Sequence, residues 1–161
     1  MADALTAFAA GVDASAFGQW AQVSPVAYPF ANVMHVLGVI LLIGGIGLLD
    51  LRLVGAFRSL PLVPLSRAVT PLAMIGLVLM FLSGTVMFAS DAPTLVASFA
   101  FRWKIMLVAL AVANALAFRW LWQKRLVDWD EEVPAAARIM AGGSIIVWII
   151  VAILGRLIAY L

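Results

Sequence analysis

The chain has no cysteine. That absence removes disulfides, thiolate metal sites, iron–sulfur clusters and covalent haem attachment through a Cys-x-x-Cys-His motif, and it says nothing about compartment. Charge is almost as scarce. Only 11% of the 161 residues are charged and the formal net charge is +2, with no Lys/Arg-rich run, so nucleic acid is not an expected partner. There is one histidine, and nothing resembles a nucleophile–base pair, a phosphate loop or a carboxylate pair. Hydrolytic catalysis therefore has no visible machinery, and whether the protein is an enzyme stays open.

What the chain has in abundance is apolar surface. It is 66% hydrophobic with a mean hydropathy of +1.14, against roughly 45–50% apolar and about 25% charged in soluble domains. Lipid must serve as solvent for part of it. The apolar runs are continuous rather than alternating, which favours helices over barrel strands. Four spans are predicted, at about 30–49 or a turn beyond, 68–88, 101–122 and 137–160. Each holds around 20 residues, enough for a ~30 Å hydrocarbon core. Pro71 is expected in the first turn of the second span, where it is tolerated. Trp103, Trp120, Trp122 and Tyr160 fall near span ends, as an aromatic belt would.

Residues 1–27 carry Asp3 and Asp13 but no cation. A signal peptide begins with a basic region, so this segment is expected to be retained. Leu5, Phe8, Val12, Phe17 and Trp20 suggest a weakly amphipathic stretch lying in the interface. Most cations fall in or beside the two loops joining spans one to two (Arg52, Arg58, Arg67) and three to four (Arg119, Lys124, Arg125, Arg138). The positive-inside rule puts those loops in the cytoplasm and both termini outside. The expectation is an all-α, up-down four-helix integral membrane bundle, N-out and C-out, formed as one transmembrane domain over 1–161 with a short interfacial N-terminal segment.

His35 lies inside the first span, and an ionisable group at that depth is a candidate functional site. Arg102, Lys104 and Arg156 are predicted at a similar depth, as are Ser83, Thr85 and Met87 of span two. His35 shares a helix face with Asn32, Gly38, Leu42 and Gly45. Three readings of that face stay open. Its glycines allow close helix packing with His35 hydrogen-bonded across the interface. They also form a groove for a flat macrocycle, haem b, with His35 on the iron and Arg102, Lys104 and Arg156 on the propionates. The third is another metal at His35. One histidine cannot supply both axial ligands, so the sixth position would be empty, or filled by a methionine (Met80, Met87 or Met106) or by His35 of a second copy.

Asp50 and Arg52 close the first span but diverge by about 200° on a helix, so each needs another partner. Arg119 is the partner expected for Asp50, and the group is read as a structural clamp, as is Asn114 in mid-span three.

The motifs Tyr28-Pro29, His35-Val-Leu-Gly38, Asp50-Leu-Arg52-Leu-Val-Gly55, Phe101-Arg-Trp-Lys104 and Asn114-Ala-Leu carry a resemblance. Over residues 24–120 the chain resembles a group of uncharacterised bacterial four-helix membrane proteins. More loosely it looks like the copper-resistance D-type, protoporphyrinogen-oxidase J-type and membrane cytochrome b proteins. That resemblance implies a bacterial inner membrane and a porphyrin or redox role for His35 with Lys104 nearby. Arg119 stands near where relatives carry a further histidine. The functional expectation is a small haem-binding protein for electron transfer or haem handling. The alternative is a cofactor-free accessory or assembly subunit, packed against membrane lipid and either itself, as a homo-oligomer, or a larger membrane complex. A transporter would need an inverted repeat or broken helices, and neither is visible.

Overall fold

The structure, a computed structural model, describes residues 2–158 and 160. Position 159, within the expected fourth span, and the side chain of Lys124 lie outside the described residues. Among the described residues the chain is all-helical, with no strand. Two short helices, α1 (Ala2–Asp13) and α2 (Ala16–Val23), precede α3 (Ala27–Val54) and α4 (Leu62–Ala89). A short α5 (Ala92–Ala97) leads into α6 (Phe99–Trp122), then a 3-10 turn (Gln123–Asp128) and α7 (Ala135–Leu157). Helices α3, α4, α6 and α7 are each long and apolar enough to cross a membrane, which fits a multi-pass membrane protein.

Helix ends follow local chemistry, and two of them depart from the expected limits. Helix α3 runs on past residue 49 to Val54 because its stop signal is Gly55, at φ 112°, whose N–H bonds back to the Arg52 carbonyl. Helix α4 starts at Leu62 rather than 68, after Pro61 in extended conformation. Pro64, not Pro71, therefore occupies the first turn, where a missing N–H has no partner to lose. Pro71 instead sits more than two turns inside α4, its exposed ring turned outward.

Glycines set the tightest pairing. A Cβ built on Gly38 would stand 2.9 Å from the Gly76 carbonyl oxygen and 2.8 Å from Cγ of Met80. One on Gly45 would stand 2.9 Å from the Val69 carbonyl oxygen. Helices α3 and α4 thus run antiparallel with their backbones nearly touching. Helix α7 lies on another face of α3, where Leu42, Trp148 and Val151 share a buried cluster with Ala73 and Ala111. Helix α6 packs on α7. The spatial order is α4–α3–α7–α6, and among the described residues α4 and α6 are sparsely packed on each other. Side chains bridge the gap at its two ends: Phe88 stacks on Phe101 with centroids 5.7 Å apart, and Arg119 Nη1 stands 3.9 Å from the Met74 sulfur.

Each end of the molecule is closed. At the end carrying the termini, α1 docks on α5, and Phe8 stacks on Phe88 at 6.3 Å. At the other end Trp129 is buried against Phe118, Trp122, Leu53 and Leu62. Trp122 belongs to this cluster, so of the residues expected in an aromatic belt only Trp103, Trp120 and Tyr160 are exposed.

Candidate functional site

His35 stands in the third turn of α3, half-buried, facing α4. Its Nδ1 is 3.0 Å from Oγ of the buried Ser83. The Ser83 hydroxyl is 2.6 Å from the Leu79 carbonyl oxygen, one turn back on its own helix, and donates to it. A hydroxyl has one proton. Nδ1 must then be the donor in the pair with Ser83, and the lone pair of the neutral ring stays on Nε2. The ring lies flat enough on α4 that a Cβ at Gly84 would stand 3.4 Å from Cε1.

From α6 comes Lys104, half-buried. Its stem crosses to α7, where a Cβ on Gly155 would stand 3.1 Å from Nζ. The other expected cations behave differently. Arg156 donates to the Tyr160 hydroxyl, with its guanidinium carbon 4.7 Å from that ring centre, and Arg102 is exposed. Met87 is half-buried one turn beyond Ser83, Met80 is half-buried against Gly38, and Met106 is exposed. The structure therefore joins His35 to Ser83, and places Lys104 beside Gly155 of α7. It leaves Arg102 and Arg156 at the surface of the same end.

These residues fit a haem in one respect only. An imidazole whose Nδ1–H is fixed by a partner presents Nε2 as an axial ligand should. The glycine groove expected to receive the macrocycle does not fit, because the α4 backbone fills it. Among the described residues no group of three or more His, Asp or Glu side chains gathers, so an all-protein metal cage is not formed there.

A second polar constellation lies toward the other end of the molecule. A cavity of about 310 Å³ is walled by all four spanning helices. Asp50 closes it from α3, Thr70 and Met74 from α4, Asn114 and Arg119 from α6, and Ser144 and Trp148 from α7. Asp50 is 7% exposed and Trp148 4%. The expected Asp50–Arg119 ion pair is absent. Arg119 is exposed and turns its guanidinium to the Met74 sulfur, while Asp50 takes a hydrogen bond from Ser144. The second carboxyl oxygen, Oδ2, and the Trp148 indole N–H have no hydrogen-bond partner. Asn114 Nδ2 donates to the Met140 carbonyl at 3.2 Å, tying α6 to α7.

No family model, no curated protein and no solved structure matches the chain. The reading of both constellations rests on their own chemistry.

Arg52 points away from the cavity. It is 2% exposed, with Nε donating to the Leu60 carbonyl at 2.7 Å and Nη2 to the Asp130 carbonyl at 3.1 Å. The Asp130 carboxylate, 3.8 Å from Nη2, also accepts the Leu62 N–H at 2.7 Å. One buried guanidinium thereby ties the α3–α4 loop to the α6–α7 loop. Ser83, Ser144 and Trp148 carry no special signal as residue types. Trp148 had a positional one: it is a tryptophan in mid-span, away from the interfaces where its N–H would find water.

Proposed function

We propose that the protein is a small membrane protein that holds a haem b through His35, serving electron transfer or haem handling in a bacterial inner membrane. In this reading the four spanning helices form an up-down bundle with both termini outside. The observation that carries it is the pairing of Nδ1 with Ser83, which holds the imidazole in one orientation against α4. Lys104 lies at the same level, and Arg102 and Arg156 stand at the edge where propionates would reach. Bound haem would supply reversible one-electron chemistry. The chain's own part would be to fix the ring, keep the group in apolar surroundings and hold cations at its edge. Met87, one turn from Ser83 on α4, would be the methionine that helps hold the group.

The visible spectrum of protein purified in detergent from haem-replete cells tests this. A Soret band is expected, and His35→Ala should abolish it. A colourless preparation overturns the reading.

One observation favours the accessory-subunit alternative. Only 6% of the most apolar stretch of α6 is buried, against 28–33% for the other three spanning helices. A helix so little covered by its own chain suits a partner or a second copy as well as lipid. A colourless protein that runs as a defined oligomer would fit that alternative.

A further inference from the structure

The chamber around Asp50 is unused by the haem reading, and its properties converge on one kind of ligand. Its walls are mostly aliphatic and aromatic, with Leu42, Leu77 and Phe118 among them. At about 310 Å³ it lies at the small end of the ~300–1,000 Å³ range of ligand pockets. Two of its residues keep a buried polar atom without a partner, the Asp50 Oδ2 and the Trp148 Nε1–H. Such groups are rare because each lacks the hydrogen bond that offsets desolvation. An acceptor and a donor left open against one apolar cavity describe a molecule that offers the reverse. Rotation about χ2 of an aspartate is soft, so either carboxyl oxygen can be turned to the chamber.

The route in narrows the class further. Arg52 and Asp130 tie the loops together, and Trp129 packs beneath them. Between α4 and α6, by contrast, packing is sparse among the described residues, and Met74–Arg119 and Phe88–Phe101 bridge the two. In a membrane that gap faces hydrocarbon, which admits uncharged solutes and resists ions.

We infer that this chamber binds an uncharged, lipid-soluble hydroxyl compound, its hydroxyl donating to Asp50 and a second oxygen accepting from the Trp148 indole. The body of the molecule lies on Leu42, Leu77 and Phe118, and any tail leaves between α4 and α6.

The test uses three probes on the full chain in detergent, with intrinsic fluorescence or calorimetry as readout and empty micelles as the blank. 4-Hexyloxyphenol carries both a hydroxyl donor and an ether acceptor. 4-Hexyloxyanisole has the donor capped, and 4-heptylphenol lacks the ether oxygen. The phenol ether is expected to bind best, with capping costing at least about tenfold, the scale of one buried hydrogen bond. Asp50→Leu, which has no acceptor, should erase the penalty for capping. Trp148→Phe should erase the preference for the ether over the alkyl chain. Asp50→Leu is close in shape and removes a buried carboxylate, Trp148→Phe keeps an aromatic ring in the site, and the melting profile checks that both fold. Equal binding of all three probes, or discrimination that persists in both folded variants, overturns the inference. His35→Ala should leave the phenol affinity unchanged. Loss of the Soret band in that variant and loss of phenol binding in Asp50→Leu are separate outcomes, so either reading can fail alone.

Discussion

Gly76 has no room for a methyl group: its Cβ would stand 2.6 Å from both the Gly38 carbonyl oxygen and the Leu42 nitrogen. Both are backbone atoms, so the helices themselves must separate to admit it. Gly76→Ala is expected to cost about 1–3 kcal/mol, as overpacking does, and to lower the thermal midpoint in detergent. Gly143, with nothing within 4 Å of a built Cβ, is the control. There Ala should be neutral or stabilising by up to about 1 kcal/mol, because glycine is a poor helix former. A similar fall for both would mean the pairing of α3 and α4 is looser than described. Ser83 bears a different kind of load. Ser83→Ala removes the acceptor that fixes Nδ1–H, and the ring can then turn or change tautomer. If His35 is an axial ligand, haem retention should drop about 10–100-fold, the usual effect of losing a supporting partner. Competition with apomyoglobin measures that retention, and unchanged retention would remove Ser83 from the site.

Among the elements, the two loops stand or fall with Arg52. Its two charge-assisted bonds to the Leu60 and Asp130 carbonyls span both loops, and a lysine has no fork to make them together. Arg52→Lys is expected to lose one of them, about 1.5–3 kcal/mol for a bond from a charged donor. The readout is faster protease cleavage at Phe57–Leu60. Asp130→Asn should cost less, since half of that side chain is exposed and water already screens it. The existence of four spans was legible from hydropathy alone, because length and continuity are local properties. Their ends were not. Apolar scoring stops at Asp50, whereas the helix is terminated by Gly55, and the proline nearest the second apolar run hid the one that begins the helix. The candidate site was half legible for a related reason. Depth along a span can be counted, and this brought His35 and Lys104 to one level. Direction around the helix depends on which neighbour it meets, so Ser83 was missed as a partner and Asp50 was paired with the wrong side chain.

At the scale of the whole molecule, polar chemistry divides between its two ends. His35 and Asp50 are fifteen positions apart on α3, about 22 Å at 1.5 Å per residue, so they stand near opposite faces of a ~30 Å hydrocarbon layer. Which face each serves depends on orientation, and the absence of cysteine makes that measurable without disturbing native thiols. Asp3 and Asp128 are exposed at the two ends. Asp3→Cys is expected to react with a membrane-impermeant maleimide in intact spheroplasts, and Asp128→Cys only after permeabilisation. Ser90→Cys, in the turn between α4 and α5, should follow Asp3→Cys. The reverse pattern would place the termini inside and exchange the sides served by His35 and Asp50, with every contact within the protein retained. Labelling of Asp3 and Asp128 from one side would be more serious. An odd number of crossings separates those two positions if α3, α4 and α6 all span, so that result would require one of the three to leave the bilayer. Helix α6, the least covered by its own chain, would then be the one to suspect, and the gap it forms with α4 would face water instead of lipid.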